Sequence, residues 1–283
     1  MIIIDKEKCN GCGLCVQVCH EHCIKFDNKT MEIDYRVCST CTQCIAICPQ
    51  QALSWDNTKP AAFDKNQLPT SSHLDELFKE RRTVRDFKKD KIKRELLEEI
   101  AGYGVYAPTH NFNMRVIIVD DNTLIEQIDK VVYNFNLKLY KFLYKPKIIH
   151  SFIKLILPDY ECEYLKAKPK LEMSIEMKKA FNTLPAAMLY IIADKRVPLS
   201  LESAQYALYN MNLYALTKGI ACRNLVGNQM ILNRSKLMYS LLGLKKNEKI
   251  FAAMGLGFPA FKFKNKVLGK KMPIQWNHEL SKD

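Results

Sequence analysis

The stretch that decides the fold runs from Cys9 to Pro49 and reads CNGCGLCVQVCHEHCIKFDNKTMEIDYRVCSTCTQCIAICP. It contains the pattern Cys-x-x-Cys-x-x-Cys-x-x-x-Cys twice. Three thiolates at this spacing hold one 4Fe–4S cluster, and the fourth cysteine of each run serves the other cluster. The spacing therefore predicts two clusters on two sets of four cysteines. The first set is Cys9, Cys12, Cys15 and Cys48, and the second is Cys38, Cys41, Cys44 and Cys19.

Structural zinc is the alternative, because cysteine pairs two residues apart also bind zinc. A zinc site needs four ligands, and two identical runs that each add a third and a fourth cysteine exceed that need. The repeat has a fixed offset of 29 residues, which aligns Cys23 with the small residue Ala52. A buried thiol is therefore favoured for Cys23 over a ninth ligand. His20 and His22 are expected to face solvent.

Residues 1–58 resemble the bacterial two-cluster ferredoxins. The resemblance implies a pseudo-symmetric βαββαβ unit in which residues 2–4 and 31–33 form short strands. Residues 59–72 are rich in Pro, Asn and Ser, which discourage regular structure, and are predicted to be a linker. Residues 73–283 form the second predicted domain.

The composition is that of a soluble globular protein, with 48% hydrophobic and 26% charged residues. Eleven cysteines and the absence of a secretory signal at Met1 favour metal ligation in a reducing cytoplasm over disulfides. No apolar run reaches the roughly 20 residues that a membrane-spanning helix needs. The expected location is therefore cytoplasmic, without a membrane partner.

The net charge of +13 is unevenly distributed. Residues 1–60 hold 6 Lys+Arg against 7 Asp+Glu, whereas the remaining chain holds 37 against 23. A basic body favours an acidic redox donor such as a ferredoxin or a flavodoxin. Nucleic-acid binding is the alternative, but no helix-turn-helix, zinc finger or basic-aromatic repeat supports it. No nucleic-acid partner is expected.

The second domain alternates helical and strand patterns, which indicates a central sheet covered by helices and an α+β fold for the chain. Helices are expected at 73–82, 93–106 and 203–218, and strands at 114–119, 184–193 and 250–257. Ser71 or Ser72 is expected to cap the first helix. Residues 122–182 carry an apolar stripe at helical spacing and are predicted to be a helical insertion that sets substrate choice.

Arg81-Arg82-Thr83-Val84-Arg85 places three guanidinium groups and a hydroxyl within five residues. This density suits a phosphate and the polar edge of a heterocycle, although a basic surface turn would look the same. Three further segments follow, which are 107–113 (APTHNFN), 219–227 (GIACRNLVG) and 254–259 (MGLGFP). In this order and spacing, residues 73–276 resemble the nitroreductase family of FMN enzymes.

The resemblance implies FMN as a cofactor, at the interface of a homodimer. The phosphate and ribityl chain are assigned to Arg81, Arg82 and Thr83, and the N1/O2 edge of the flavin to Arg85. A motif that reaches the flavin of the partner subunit contains Pro108, Thr109, His110, Asn111 and Asn113. The other ring face is assigned to Leu225, Val226 and Gly227, and the remaining phosphate contact to Lys270 or Lys271.

Several positions depart from the family pattern or leave alternatives open. Asn113 stands in place of glutamine and Thr109 in place of serine, while Gly269 occupies a place where related tails carry arginine. His110 is either a proton donor or, preferably, an ordinary loop histidine. Cys162 and Cys222 are expected to be packed thiols, and no catalytic residue is assigned.

The sequence thus predicts a flavin-dependent oxidoreductase that carries its own iron–sulfur domain. An external donor, either a reduced ferredoxin or flavodoxin or NAD(P)H, would supply electrons through both clusters to FMN. The acceptor would be a small organic molecule such as a nitroaromatic, a quinone or an enone. Two alternatives are an electron-transfer or redox-sensing protein without a small substrate, and a second domain that binds no flavin and supports the clusters.

Overall fold

The computed structural model describes residues 1–27, 30–109, 113–156 and 161–276. The N-terminal domain has the element order βαββαβ that the resemblance to two-cluster ferredoxins implies. Its elements are β1 (Ile2–Ile4), α1 (Leu14–Val18), β2 (Ile24–Asp27), β3 (Thr30–Ile33), α2 (Gln43–Ile47) and β4 (Leu53–Trp55). The strand β1 pairs antiparallel with β4, and β2 pairs antiparallel with β3. Each helix follows a residue with a left-handed backbone, Gly13 at φ 75° and Thr42 at φ 60°.

The second domain is built on the described four-stranded sheet, whose strand order is β5-β6-β8-β7 with antiparallel neighbours throughout. The strands are β5 (Met114–Val119), β6 (Ala187–Asp194), β7 (Ala221–Asn224) and β8 (Glu248–Gly257). The helices are α3 (Ser71–Glu80), α4 (Arg94–Gly102), α5 (Asn122–Leu143), α6 (Lys147–Ile156), α7 (Glu161–Met177), α8 (Ser200–Thr217), α9 (Val226–Leu232) and α10 (Lys236–Leu241). This arrangement confirms the predicted α+β class.

The core lies on both faces of the sheet. One face packs against α4 and α8, with Leu97, Ala204 and Leu208 in the same buried cluster. The other face packs against α5, α9 and α10 and contains Ile128 and Met238. The central strand β6 is apolar over seven consecutive residues because both of its faces are covered.

Several predicted boundaries were wrong for local reasons. Thr70, rather than Ser71 or Ser72, caps α3, because its hydroxyl oxygen accepts a hydrogen bond from the His73 amide. The helix expected at 93–106 is α-helical only to Gly102 and tightens into a 3₁₀ turn over Tyr103–Tyr106. The strand expected at 184–193 begins after Pro185, which has no amide hydrogen to donate to the sheet.

The predicted helical insertion consists of α5, α6 and α7. The helix α5 is fixed to the domain by its buried Asp129, whose carboxylate accepts hydrogen bonds from the Ala180 and Phe181 amides at 2.9 Å each. The helix α6 instead exposes apolar side chains at helical spacing, with Ile148 81% and Phe152 61% exposed. No helix among the described residues is long and apolar enough to cross a membrane.

Two glycines of the second domain provide a matched test of packing. A Cβ atom on Gly257 would lie 2.6–3.0 Å from three atoms of Phe87, whereas on Gly104 it would meet the terminal methyl of Met211. Replacing Gly257 with alanine is expected to lower the free energy of unfolding by about 1–3 kcal/mol, because the buried Phe87 ring cannot move aside. Gly104→Ala should cost less, since the Met211 methyl can rotate away.

Chemical denaturation of both variants and the parent protein measures this difference. The midpoint should fall clearly for Gly257→Ala and little for Gly104→Ala. Equal losses in both variants would contradict the proposed role of the Phe87 ring.

Candidate functional site

The eight cysteines line two separate cavities. One cavity of about 260 Å³ is lined by Cys19, Cys38, Cys41 and Cys44, together with Cys23. The other, of about 20 Å³, is lined by Cys9, Cys12, Cys15 and Cys48. Each set therefore combines three cysteines of one run with the fourth cysteine of the other run.

The two cavities supply the ligands that two clusters need. Each is lined by four of the eight thiols, three from one run and the fourth from the other. A 4Fe–4S cluster is held by four cysteine thiolates, and the eight cysteines divide into two such sets. The residues therefore fit 4Fe–4S groups.

Cys23 is the thiol whose role the cavity leaves open. Its Sγ lies 3.4 Å from the Sγ of Cys19, and its side chain is buried. The repeat partner of Cys23 is Ala52, which is equally buried and whose amide donates a hydrogen bond to Cys48 Sγ at 3.4 Å. Cys23 is thus buried directly beside one predicted ligand, and its role as a packing thiol stays a prediction.

The arginine-rich segment is attached to the edge of the sheet formed by β7 and the end of β8. The Val84 amide donates to the Cys222 carbonyl at 3.2 Å, and the Phe87 amide donates to Thr183 Oγ1 at 3.0 Å. Arg82 donates through Nη1 to the carbonyls of Lys79 and Arg81, so its guanidinium caps the end of α3. Thr83 and Arg85 are exposed and Arg81 is half-buried.

Arg223 is a candidate site residue that the sequence reasoning missed. It lies on β7 next to the attachment point of the arginine-rich segment, with its guanidinium carbon 4.8 Å from the centroid of the Phe181 ring. Burial lowers the pKa of Arg223, and the positive charge of Arg85 lowers it further. The available signal was a charged residue in the ACRNLV stretch, which is apolar apart from Arg223 and Asn224.

These cations form no direct ion pair among the described residues, although the carboxylates of Asp86 and Asp129 raise the pKa of Arg223 through space. Across residues 1–27, 30–109, 113–156 and 161–276, no carboxylate forms an ion pair with Arg81, Arg85 or Arg223. A partly buried guanidinium without a counter-ion is costly unless an anion is bound. The segment therefore fits a phosphate-bearing or otherwise anionic ligand.

Two buried polar atoms lie just beyond the predicted flavin-facing residues Leu225, Val226 and Gly227. They are Asn228 Nδ2 and Gln229 Oε1, and neither has a hydrogen-bond partner within the described structure. The Leu225 amide donates to the Ala253 carbonyl at 2.8 Å, which fixes the start of α9 on β8. Unsatisfied groups at a helix start are consistent with a site that a polar ligand completes.

The remaining predicted residues lie apart from this segment. Pro108 and Thr109 line a cavity of about 820 Å³ between the two domains. His110 and Asn111 lie outside the described residues, and Asn113 is exposed just before β5. Lys270 and Lys271 are exposed in the extended segment after β8, where Lys266 forms an ion pair with Glu76 of α3.

Comparison with known protein families shows which family this chain belongs to. Residues 78–258 match the Nitroreductase family. The chain belongs to the nitroreductase family. Residues 8–61 match the 4Fe-4S dicluster domain, so this nitroreductase-family chain carries an iron–sulfur domain ahead of its family domain. Both predicted identities are confirmed, whereas a search among curated proteins returns no match.

Solved structures show the same fold. A nitroreductase with bound FMN from Desulfitobacterium hafniense DCB-2 is 17% identical, with a TM-score of 0.52 over 71% of this chain and 96% of that chain. An iodotyrosine deiodinase bound to FMN and 3-iodo-L-tyrosine is 22% identical, with a TM-score of 0.51 over 72% and 98%. At these identities the likeness of this nitroreductase-family chain is one of fold.

Proposed function

We propose that this chain is a flavin-dependent oxidoreductase in which two 4Fe–4S clusters supply electrons to FMN. One observation carries the proposal. The cavity ringed by Cys19, Cys38 and Cys44 shares Cys41 and Thr109 with the large cavity between the domains. A cluster held by the second cysteine set would therefore lie against the segment that is expected to reach the flavin.

The cysteines are proposed to hold the clusters in the two sets that line the two cavities. The first set would lie farther from the family domain, because none of its cysteines lines the cavity between the domains. An external donor is therefore proposed to reduce this cluster first. A donor of the acidic ferredoxin or flavodoxin class would be attracted by the basic remainder of the chain, which holds 37 Lys+Arg against 23 Asp+Glu, and not by residues 1–60 themselves.

FMN is proposed to bind at the arginine-rich segment. Arg81, Thr83 and Arg85 would bind the phosphate and the polar edge, with Arg223 as an additional cation. The support is the set of guanidinium groups that form no direct ion pair within the described part of the chain, together with the FMN bound in similar folds. FMN supplies two-electron redox chemistry when bound, while the protein positions it and sets its electrostatics.

The remaining residues are proposed to complete this site. Leu225, Val226 and Gly227 would line one ring face, and Lys270 or Lys271 would complete the phosphate contact. Pro108, Thr109 and Asn113 would act from the partner subunit of a homodimer. His110 and Asn111 belong to the same proposed motif but lie outside the described residues.

The acceptor is proposed to be a small organic molecule such as a nitroaromatic, a quinone or an enone. The exposed apolar face of α6, which includes Ile148, Phe152 and Leu155, offers a surface that suits such molecules. The same face favours a second candidate function, in which the flavin passes electrons to a protein partner. We propose a cytoplasmic location for either function.

Anaerobic purification with iron, sulfide and flavin quantitation tests the proposal. A holoprotein with about eight irons and one FMN per chain is expected, and a reduced ferredoxin should bleach its flavin absorption. Reoxidation by a nitroaromatic, a quinone or an enone would support the enzyme. A protein with full clusters and no flavin would contradict the proposed function, and bleaching without reoxidation by any of these compounds would favour the protein acceptor.

A further inference from the structure

The large cavity brings cluster ligands and the family domain together. On the N-terminal side it is lined by the loop 40–43, which contains Cys41, and by Trp55. On the other side it is lined by residues 105–109 and by Leu199, Glu202, Ser203 and Tyr206 of the start of α8. Electrons that leave the second cysteine set would therefore emerge into this cavity.

The arginine-rich segment of the same chain does not reach this cavity. In the described structure, neither residues 81–85 nor residues 225–227 are among the residues that line it. The helix α8 begins beside Asp194, where Ser200 Oγ donates to the Asp194 carbonyl. Asp194 is in register with Glu248, the first residue of β8.

The segment 81–85 is attached at the other end of β8. Val84 binds Cys222, and Cys222 is in register with Leu256. The path along β8 from Glu248 to Leu256 is roughly 26 Å at about 3.3 Å per residue. Since electron transfer slows steeply with distance, the arginine-rich segment of one chain is poorly placed to receive electrons from its own Cys41 loop.

The wall of the cavity has the character of an interface. Val105, Tyr106, Leu199 and Tyr206 are 50%, 74%, 53% and 54% exposed, which is unusual for large apolar side chains gathered around one cavity. The charges are also complementary between copies. The N-terminal 60 residues are net negative before the cluster thiolates are counted, and the arginine-rich segment is basic.

We propose that a second copy of this chain covers this cavity and brings its own arginine-rich segment against the Cys41 loop. Each cluster set then reduces the flavin held by the other subunit. In a two-fold dimer this contact is formed twice, because the same surfaces meet on both subunits. The inference rests on the proposed function and adds the direction of electron transfer between subunits.

The proposed reduction of the flavin proceeds by one-electron transfers from a cluster. Each transfer oxidises a reduced cluster of one subunit by one electron. Two transfers, with protons taken from water, complete the two-electron reduction of the flavin on the other subunit. A one-electron donor of the ferredoxin or flavodoxin class restores the reduced clusters.

Subunit complementation tests this inference. One chain carries Cys41→Ser, which removes a cluster ligand and keeps the arginine-rich segment. The other carries Arg81→Ala with Arg85→Ala, which keeps the clusters and loses FMN. Heterodimers isolated through two different affinity tags should bind one FMN, and reduced ferredoxin should bleach it within about twofold of the parental rate. Both variant homodimers should show no cluster-driven bleaching.

The readouts distinguish the possible failures. A heterodimer whose FMN stays oxidised, while the parental dimer is bleached, would overturn the transfer between subunits and leave the proposed function intact. A parental holoprotein whose flavin is not bleached would overturn both. FMN content and dimer mass, measured independently of any substrate, verify that each heterodimer has formed.

A second pair of variants avoids any dependence on cluster loss. Tyr206→Glu is expected to convert the dimer into a monomer in sedimentation, with its irons retained and its flavin bleaching lost. Leu237→Glu is the matched control, because Leu237 is 56% exposed on α10 at the opposite face of the sheet. A monomeric Tyr206→Glu protein that bleaches at the parental rate would overturn the inference.

Discussion

Replacing Cys41 with serine is expected to slow bleaching of the flavin by a reduced ferredoxin by at least about a hundredfold. Because the clusters and the flavin that they are proposed to reduce belong to one dimer, a local encounter replaces a diffusional one, an advantage of roughly 10²–10⁴. Cys41 lines both the second cysteine cavity and the cavity between the domains, so its loss should interrupt the path at the exit. Iron content should fall from about eight to about four per chain.

Cys23→Ala is the matched control for this experiment. Cys23 is buried in the same cavity, with its Sγ 3.4 Å from that of Cys19. If Cys23 is a packing thiol, the variant keeps about eight irons and a near-parental bleaching rate, as measured by anaerobic stopped-flow absorption. Loss of about four irons from Cys23→Ala would assign Cys23 as a ligand and contradict the proposed set.

Replacing Arg223 with glutamine is expected to weaken FMN binding by about 10- to 150-fold. A hydrogen bond to a charged group contributes about 1.5–3 kcal/mol, and about 1.36 kcal/mol corresponds to a factor of ten. Arg223 is partly buried over Phe181, and among the described residues the carboxylates of Asp86 and Asp129 act on it only through space, without a direct ion pair. Titration of flavin-free protein with FMN, followed by flavin fluorescence, measures the change.

Two further variants separate charge from packing at this position. Arg223→Lys keeps the positive charge and should recover part of the affinity, although lysine lacks the planar fork of donors. Arg234→Gln removes an exposed guanidinium that donates to the Met230 carbonyl and should bind FMN as the parent does. Parental affinity in Arg223→Gln would exclude Arg223 from the flavin site.

The sequence was most informative where a repeated spacing imposes a structure. The repeated cysteine spacing predicted two clusters, and the resemblance to two-cluster ferredoxins that it carries implied the βαββαβ unit, which the structure has. The strand at 114–119 was predicted at its observed bounds, because a run of apolar, mostly β-branched residues is a clear pattern for a buried strand. The strand β7 was missed because four residues carry little pattern of their own and depend on pairing with β8.

The candidate site could be predicted only in part, because its electrostatics depend on distant partners. Arg82 stays a predicted phosphate-binding residue, and the sequence did not show that its Nη1 also donates to the carbonyls at the end of α3. Arg223 gained its surroundings from Phe181, which Asp129 of α5 holds in place through two amide hydrogen bonds. Such long-range contacts leave no local signature in the sequence.

The close placement of Arg81, Arg85 and Arg223 beside one sheet edge affects the stability of the protein when no nucleotide is bound. Backbone contacts hold these like charges close together in the protein without bound nucleotide. Their mutual repulsion therefore lowers the stability of the nucleotide-free fold. A bound dianion relieves it and adds about 2.7 kcal/mol of stability at a hundredfold excess over its dissociation constant. A cell that runs short of the nucleotide would therefore lose this protein to its proteases as well as lose its turnover.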